Sequence, residues 1–414
     1  MIHSLPTERR RTQASIRTSF FIVIAVQALF VAASNFPTPL FPLYERHYGF
    51  SSGVVTLLFG VYVLALIPSM LSLGRLTDRV GRRPVLLAGV LITAVSSLAF
   101  AGARGVGWLF AGEIIYGVAG GLIQSSATVA IRELHPRGHV ASGALAATLA
   151  IVVGLALGPL VSGVLATVTP WPTVAPYALD IALAAFLAVA LLRIPETRPD
   201  VPAPARRPPV LHVPSDIRRV FVGAALAGAT SWMATGWVFG LSPSFLHEEL
   251  GVHLTQPVVA GLFAALMVGA NGLAQLGVRR TDTPRLLRAS LVTLVVGMVV
   301  IASSSPLDSL PVALVGAVIT GIAAGLVVRS TMATIQRVAP DHARGGVTSA
   351  FLTVCYLAMS VPVVAAGLGA DHLGLRAVTG WFLLGLAALV TVALIANRDV
   401  VEEEAAAVTV AAAA

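Results

Sequence analysis

Leu73-Gly74-Arg75-Leu76-Thr77-Asp78-Arg79-Val80-Gly81-Arg82-Arg83-Pro84 is a charged break about ten residues long. An apolar run from Val54 to Leu73 precedes it, and another from Val85 to Ala103 follows. Each run can cross a hydrocarbon core of ~30 Å as a helix rising 1.5 Å per residue. The break is too short for a domain and reads as a tight turn between two membrane spans. Gly74 and Gly81 supply the backbone angles of such a turn. Pro84 suits the first turn of the next helix.

The same pattern runs outward through the chain. Of 414 residues, 57% are hydrophobic and only 11% charged, a balance that excludes a soluble globular protein. Twelve apolar runs follow one another at 18–44, 51–73, 84–103, 107–131, 140–168, 173–194, 218–246, 255–278, 285–304, 309–335, 346–369 and 375–396. The boundary between the ninth and tenth is the least sharp. All are expected to be helices, because an unpaired backbone group in lipid costs several kcal/mol. The net charge of +8 comes from arginine alone, with no lysine. These arginines sit in short loops without aromatic interleaving, which points to lipid head groups and topology rather than nucleic acid. Arg46, Arg104 and Arg376 alone fall in the segments opposite the N-terminal side. This bias predicts a multi-pass inner-membrane protein with both termini in the cytoplasm.

The expected organisation is an N-terminus at 1–17, six spans at 18–194, a Pro-rich linker at 195–217, six spans at 218–396 and a tail at 397–414. The halves repeat. Gly117-Val-Ala-Gly-Gly121 in span four matches Gly321-Ile-Ala-Ala-Gly325 in span ten, and Pro159 in span five matches Pro362 in span eleven. Cys355 is the single cysteine, so no disulfide framework is possible. No metal site, nucleotide loop or organic cofactor is indicated.

The 73–84 pattern, Gly-x-Leu-x-Asp-Arg-x-Gly-Arg-Arg, resembles the loop 2–3 motif of the major facilitator superfamily of secondary transporters. The resemblance implies an all-α fold of twelve transmembrane helices in two pseudo-symmetric six-helix bundles, with substrate bound near the midplane. It also implies a gating role for Gly74, Asp78, Arg79, Gly81, Arg82 and Arg83. Asp78 would face the start of span eleven, near Gly346, where a helix N-terminus favours a carboxylate. Glu133, at the end of span four, is placed to pair with Arg79 or Arg82. Gly154, Gly158, Pro159 and Gly163 in span five resemble the span-five motif of proton-coupled drug antiporters, with Ser162 replacing one glycine. Glycines at that spacing let helices approach closely.

Span four departs from the family, placing Glu113 where an arginine is usual. Glu113, Tyr116, Gly117, Gly120 and Gln124 fall on one helix face. A span starting near Gly107 puts Glu113 about 9 Å into the membrane. A charged acid there costs about 3 kcal/mol, which protonation reduces. Glu113 is therefore the favoured proton carrier, with Asp180 in span six as a second candidate that is more readily read as structural. Arg329 in span ten could bind an anionic group. Gln27, Asn35, Tyr62, Gln124, Trp232, Trp237, Asn271, Gln275 and Tyr356 are further substrate-cavity candidates, a set that suits lipophilic compounds. Span one lacks the acid that many drug–proton antiporters carry.

The expectation is a monomeric, proton-gradient-driven antiporter exporting a small lipophilic or cationic compound. Uptake or facilitated diffusion of a sugar, organic acid or other metabolite is the alternative within transport. A non-transporting membrane sensor or partner protein is the alternative of another class. No nucleophile–base set suggests an enzyme.

Overall fold

The computed structural model describes residues 6–136, 140–196, 211–277 and 284–398. These form fourteen α-helices, two short 3-10 helices and no strand. In chain order come α1 (Pro6–Ala33), a 3-10 turn at Thr38–Leu40, α2 (Phe41–Tyr48), α3 (Ser52–Val80), α4 (Arg82–Ala101), α5 (Val106–Glu133), α6 (Val140–Val168) and α7 (Ala175–Leu191). A second 3-10 turn at Ser215–Ile217 leads into α8 (Arg218–Gly240), α9 (Ser242–Leu250), α10 (Pro257–Gly277), α11 (Pro284–Ser303), α12 (Leu310–Val338), α13 (Arg344–Leu373) and α14 (Leu375–Ala396).

Among the described residues, ten stretches are long and apolar enough to cross a membrane, the first being Ile16–Tyr48 across α1 and α2. The 17-residue α7 and the 23-residue α8 complete twelve spans. Span one breaks where Pro37 and Pro39 interrupt the backbone ladder. Within the helices, hydroxyls such as Thr148, Thr331 and Thr391 donate to the carbonyl four residues back, so they need no external partner.

The 73–84 break is smaller than its sequence suggests. The α3 helix continues through Gly74 to Val80, and α4 starts at Arg82, leaving Gly81 alone as the turn. Gly81 takes φ +109°, whereas Gly74 is not among the positive-φ residues. Helix propagation adds one hydrogen bond per residue, so arginine and aspartate extend α3 beyond its apolar part. The linker residues 197–210, the tail beyond 398, and Arg137 and His139 lie outside the described residues, as do the side chains of Arg75, Leu76 and Asp78 and the surroundings of Gly74.

The described residues divide into two compact units: up to 43, 61–196 and 255–261 in the first; 44–60, 211–254, 262–277 and 284–398 in the second. Their internal plans correspond. In the first, Gly117 of α5 backs onto the Tyr62 carbonyl of α3, and Gly121 onto Ser69. In the second, Gly321 of α12 backs onto the Met267 carbonyl of α10, and Gly325 onto that of Asn271. Likewise Gly154 and Gly158 of α6 meet the α1 backbone at Ala28 and Ala32, while Gly236 of α8 meets the Met359 carbonyl of α13. Without a Cβ at these points the backbones touch, which is how helices gain contact where lipid removes the hydrophobic drive.

Candidate functional site

At the α3/α4 turn, sequence-distant groups converge on the motif arginines. Arg82 is 7% exposed and its Nη2 donates to Glu133 Oε1 at 3.2 Å. Its Nη1 donates to the Thr77 carbonyl at 3.1 Å, and Thr77 in turn bonds Ser126 of α5 at 2.8 Å. Glu133 thus pairs with Arg82, while Arg79 is exposed. Glu196, which sequence reasoning missed, accepts from the Arg82 N–H at 2.7 Å and the Arg83 N–H at 3.1 Å. Those are orphan donors at the positive end of α4, so the carboxylate caps it. Arg83 Nη2 donates to the Leu192 carbonyl. The ends of α3, α4 and α5 and the segment after α7 are thereby tied into one knot.

A Cβ on Gly81 would lie 2.5 Å from Glu196 Oε2, besides adopting a strained φ. Gly81→Ala is expected to cost about 2 kcal/mol. A double-mutant cycle with Glu196→Ala, read by thermal melting in detergent, should show positive coupling of about 1 kcal/mol because removing the carboxylate relieves the clash. Strict additivity would dismiss that contact.

A buried polar chain crosses the first unit. Asp180 is 0% exposed and its Oδ2 accepts from Ser97 Oγ at 2.6 Å. Ser97 Oγ lies 2.7 Å from the Tyr116 hydroxyl. Ser97 has one proton, so donation to Asp180 makes Tyr116 the donor to Ser97. Asp180 Oδ1 has no partner among the described residues. Phe100 stacks on Tyr177 at 5.0 Å and packs against Tyr116 at 5.8 Å, and all three rings are buried around this chain. Glu113, one turn before Tyr116, is 4% exposed and inside the bundle, and no hydrogen bond or ion pair reaches it among the described residues.

The cavity candidates separate into different settings. Gln27 Nε2 donates to Gln124 Oε1 at 3.3 Å, with Gln27 fully enclosed. Asn35 bonds its own helix at the Val31 carbonyl, 2.8 Å away. Tyr62 is half-buried in α3. In the second unit Trp232 meets Tyr356 edge-on at 4.8 Å. Trp237 is enclosed against Phe245 at 5.3 Å and presents no open surface. Gln275 Nε2 donates to Asn271 Oδ1 at 2.7 Å.

Three further carboxylates at one end of the second unit escaped the sequence reading, which weighed acids inside spans and around the 73–84 motif. Glu45 accepts from Ser52 Oγ at 2.8 Å and Ser244 Oγ at 3.1 Å. Asp371 accepts from Ser51 Oγ at 2.7 Å and the Gly53 N–H at 3.1 Å, capping α3. Glu249 accepts from Ser305 Oγ at 2.6 Å and Arg376 Nε at 2.8 Å. Partial burial pushes the Glu249 carboxyl up, but the bonds from Ser305 and Arg376 outweigh it and hold it below its ordinary value of 4.5. A carboxyl lowered in the folded state stabilises above its unfolded value and loses that contribution as pH falls through the folded one. The melting-temperature gap between the wild type and Glu249→Gln should therefore narrow progressively as pH falls below 4.5. A gap that does not narrow on acidification would contradict this.

Two helical units that repeat one glycine-spaced plan, with single charges held inside apolar helices, define a two-repeat polytopic membrane protein. The family model for the Major Facilitator Superfamily matches residues 23–363, and the chain belongs to that superfamily, a family of transporters rather than enzymes. It is 26% identical over 315 residues to the multidrug resistance protein MdtL of Klebsiella pneumoniae, covering 76% of this chain and 79% of that one. It is 30% identical over 243 residues to the multidrug transporter MdfA of Yersinia pestis, covering 56% and 58%. It is 28% identical over 200 residues to multidrug resistance protein D of Escherichia coli, covering 48% and 49%. The chain thus spans about half the length of several of the curated relatives it matches. Its fold is similar to the crystal structure of a bacterial homologue of the human lysosomal transporter Spinster, inward-facing and unoccupied. That match has a TM-score of 0.78 at 15% identity and covers 96% of this chain and 98% of that one.

Proposed function

We propose that this protein is a proton-coupled antiporter that exports a small lipophilic compound by alternating access, with both termini in the cytoplasm and the monomer as the working unit. The observation that carries the reading is Glu113: a lone carboxyl inside the bundle, one turn from the Tyr116–Ser97–Asp180 chain, in a chain similar to transporters named for multidrug resistance. An isolated carboxylate in apolar surroundings is costly, and a proton removes that cost. Proton uptake and release at Glu113 would bias which side the site opens to. The Arg82–Glu133–Glu196 knot supports a latch role for the α3/α4 turn.

The test is transport in reconstituted vesicles with an imposed pH gradient. A lipophilic fluorescent probe should accumulate against its gradient only while the proton gradient holds, and counterflow should continue after the gradient is collapsed. Counterflow with no response to pH in either direction would replace this reading with facilitated diffusion. Arg329 is the observation that favours the second reading, in which the cargo is an organic acid.

A further inference from the structure

We propose that Arg329, with Asn271 and Gln275, forms a binding site for the anionic head of an amphiphilic cargo; this rests on the transport reading above and narrows its substrate class. Arg329 lies nine residues before the end of α12, about 14 Å along the helix at 1.5 Å per residue. A guanidinium stays charged at any physiological pH. Among the described residues it has no hydrogen bond and no ion pair, and its Nε is enclosed without a partner while the residue as a whole is partly exposed. An unpaired cation inside a span costs at least 2–3 kcal/mol (~3 at the centre) and marks a functional group.

The packing of α12 on α10 places the remaining partners. Gly321 lies on Met267 and Gly325 on Asn271, four residues on in each helix, so the two run parallel and in step. One more turn puts Arg329 level with Gln275. In the first unit the corresponding position, four after Gly121, is Ser125, which spends its hydroxyl on the Gly121 carbonyl. The repeat therefore offers a packing solution without charge, and α12 departs from it. Gln275 donates to Asn271 Oδ1, which leaves the Asn271 amide nitrogen and the arginine as donors about one turn apart on the two helices. Met332, one turn beyond Arg329, packs in the apolar cluster that includes Trp232, and Trp232 meets Tyr356. The accessible Nη groups of Arg329 suit end-on, two-pronged recognition of a planar carboxylate or a sulfonate. The Trp232–Tyr356 pair, on the same apolar cluster as Met332, would take the apolar body attached to it.

The experiment measures binding of four naphthalene probes to the full chain in a nonionic detergent: 2-naphthalenesulfonate, 2-naphthoate, 2-naphthalenemethanol and 2-(aminomethyl)naphthalene. The sulfonate and carboxylate should bind about tenfold tighter than the alcohol. The sulfonate preference should be unchanged between pH 6 and 8, where its charge is constant. In Arg329→Gln the anion preference should fall to about twofold or less; in Arg329→Lys, which keeps a point charge without the fork, it should be intermediate. Arg329→Gln should melt no lower than wild type, because it removes an unpaired charge from within a span. Equal binding of anion and alcohol by the wild type, or an unchanged preference in both variants, overturns the site. Displacement of bound sulfonate by dihexanoyl-phosphatidylglycerol overturns the cargo assignment in favour of a lipid head group. Vesicle counterflow of the same probes separates the two levels. Anion preference without counterflow leaves the site and removes the transport reading. Counterflow without anion preference does the reverse.

Discussion

Gly158→Leu is expected to leave no monodisperse, folded protein in detergent. A Cβ at Gly158 would fall on the backbone of α1, on the Ala32 carbonyl oxygen and 2.8 Å from the Ala32 Cα. Backbone cannot rotate away as a side chain can. One turn earlier, a Cβ at Gly154 would lie 2.6 Å from the Ala28 carbonyl and 2.8 Å from Val31 Cβ, so α1 cannot tilt to make room. A leucine must push the helices apart along the whole crossing. Overpacking in a soluble core costs about 1–3 kcal/mol. Here the crossing also loses its backbone contacts, so a loss of about 4 kcal/mol or more is expected. The control is Gly380→Ala in α14, where a Cβ would meet nothing within 4 Å. That change should be neutral or stabilising by up to about 1 kcal/mol, since glycine is the poorer helix former. Size-exclusion profiles and melting curves of the two variants, side by side, make the comparison. A well-folded Gly158→Leu would show that α1 and α6 do not cross there.

Glu113→Gln is expected to abolish accumulation driven by a pH gradient while leaving counterflow within about threefold of wild type. Glutamine matches the shape of a protonated glutamate, and no described residue bonds Glu113, so the fold loses no contact. It cannot release a proton, so transport and proton flow should separate. Asp180→Asn is the discriminating companion. Asp180 is fully enclosed, and asparagine keeps an oxygen for Ser97. Gradient-driven transport should therefore survive in Asp180→Asn if Asp180 is structural. Loss of coupling in Asp180→Asn with retention in Glu113→Gln would transfer the carrier role along the chain to span six.

Much of the fold was legible because hydropathy and helical period are local properties. Twelve runs became twelve spans, and the glycine repeats at 117–121 and 321–325 marked where backbones meet. The motif at 73–84 was read correctly as a boundary but not in its form, because a charged stretch can extend a helix as readily as end it. Only Gly81, with its positive φ, makes the turn. The acids in spans could be found from their rarity. What they bond could not: Ser97 is one of many serines, and its reach to Asp180 depends on how α4 and α7 face each other. Glu196 looked like linker, yet it caps α4 from more than a hundred residues away.

Composition, the period of apolar residues and the placement of arginine determined that this chain is helical, membrane-spanning and twofold repeated, since each depends only on near neighbours and on lipid as solvent. Tertiary packing alone decided which charges are satisfied and which are left open. Glu133 found Arg82, while Arg329 has no hydrogen bond or ion pair among the described residues. Those outcomes turn on the register between helices far apart in the chain, which close glycine contacts set and linear order does not.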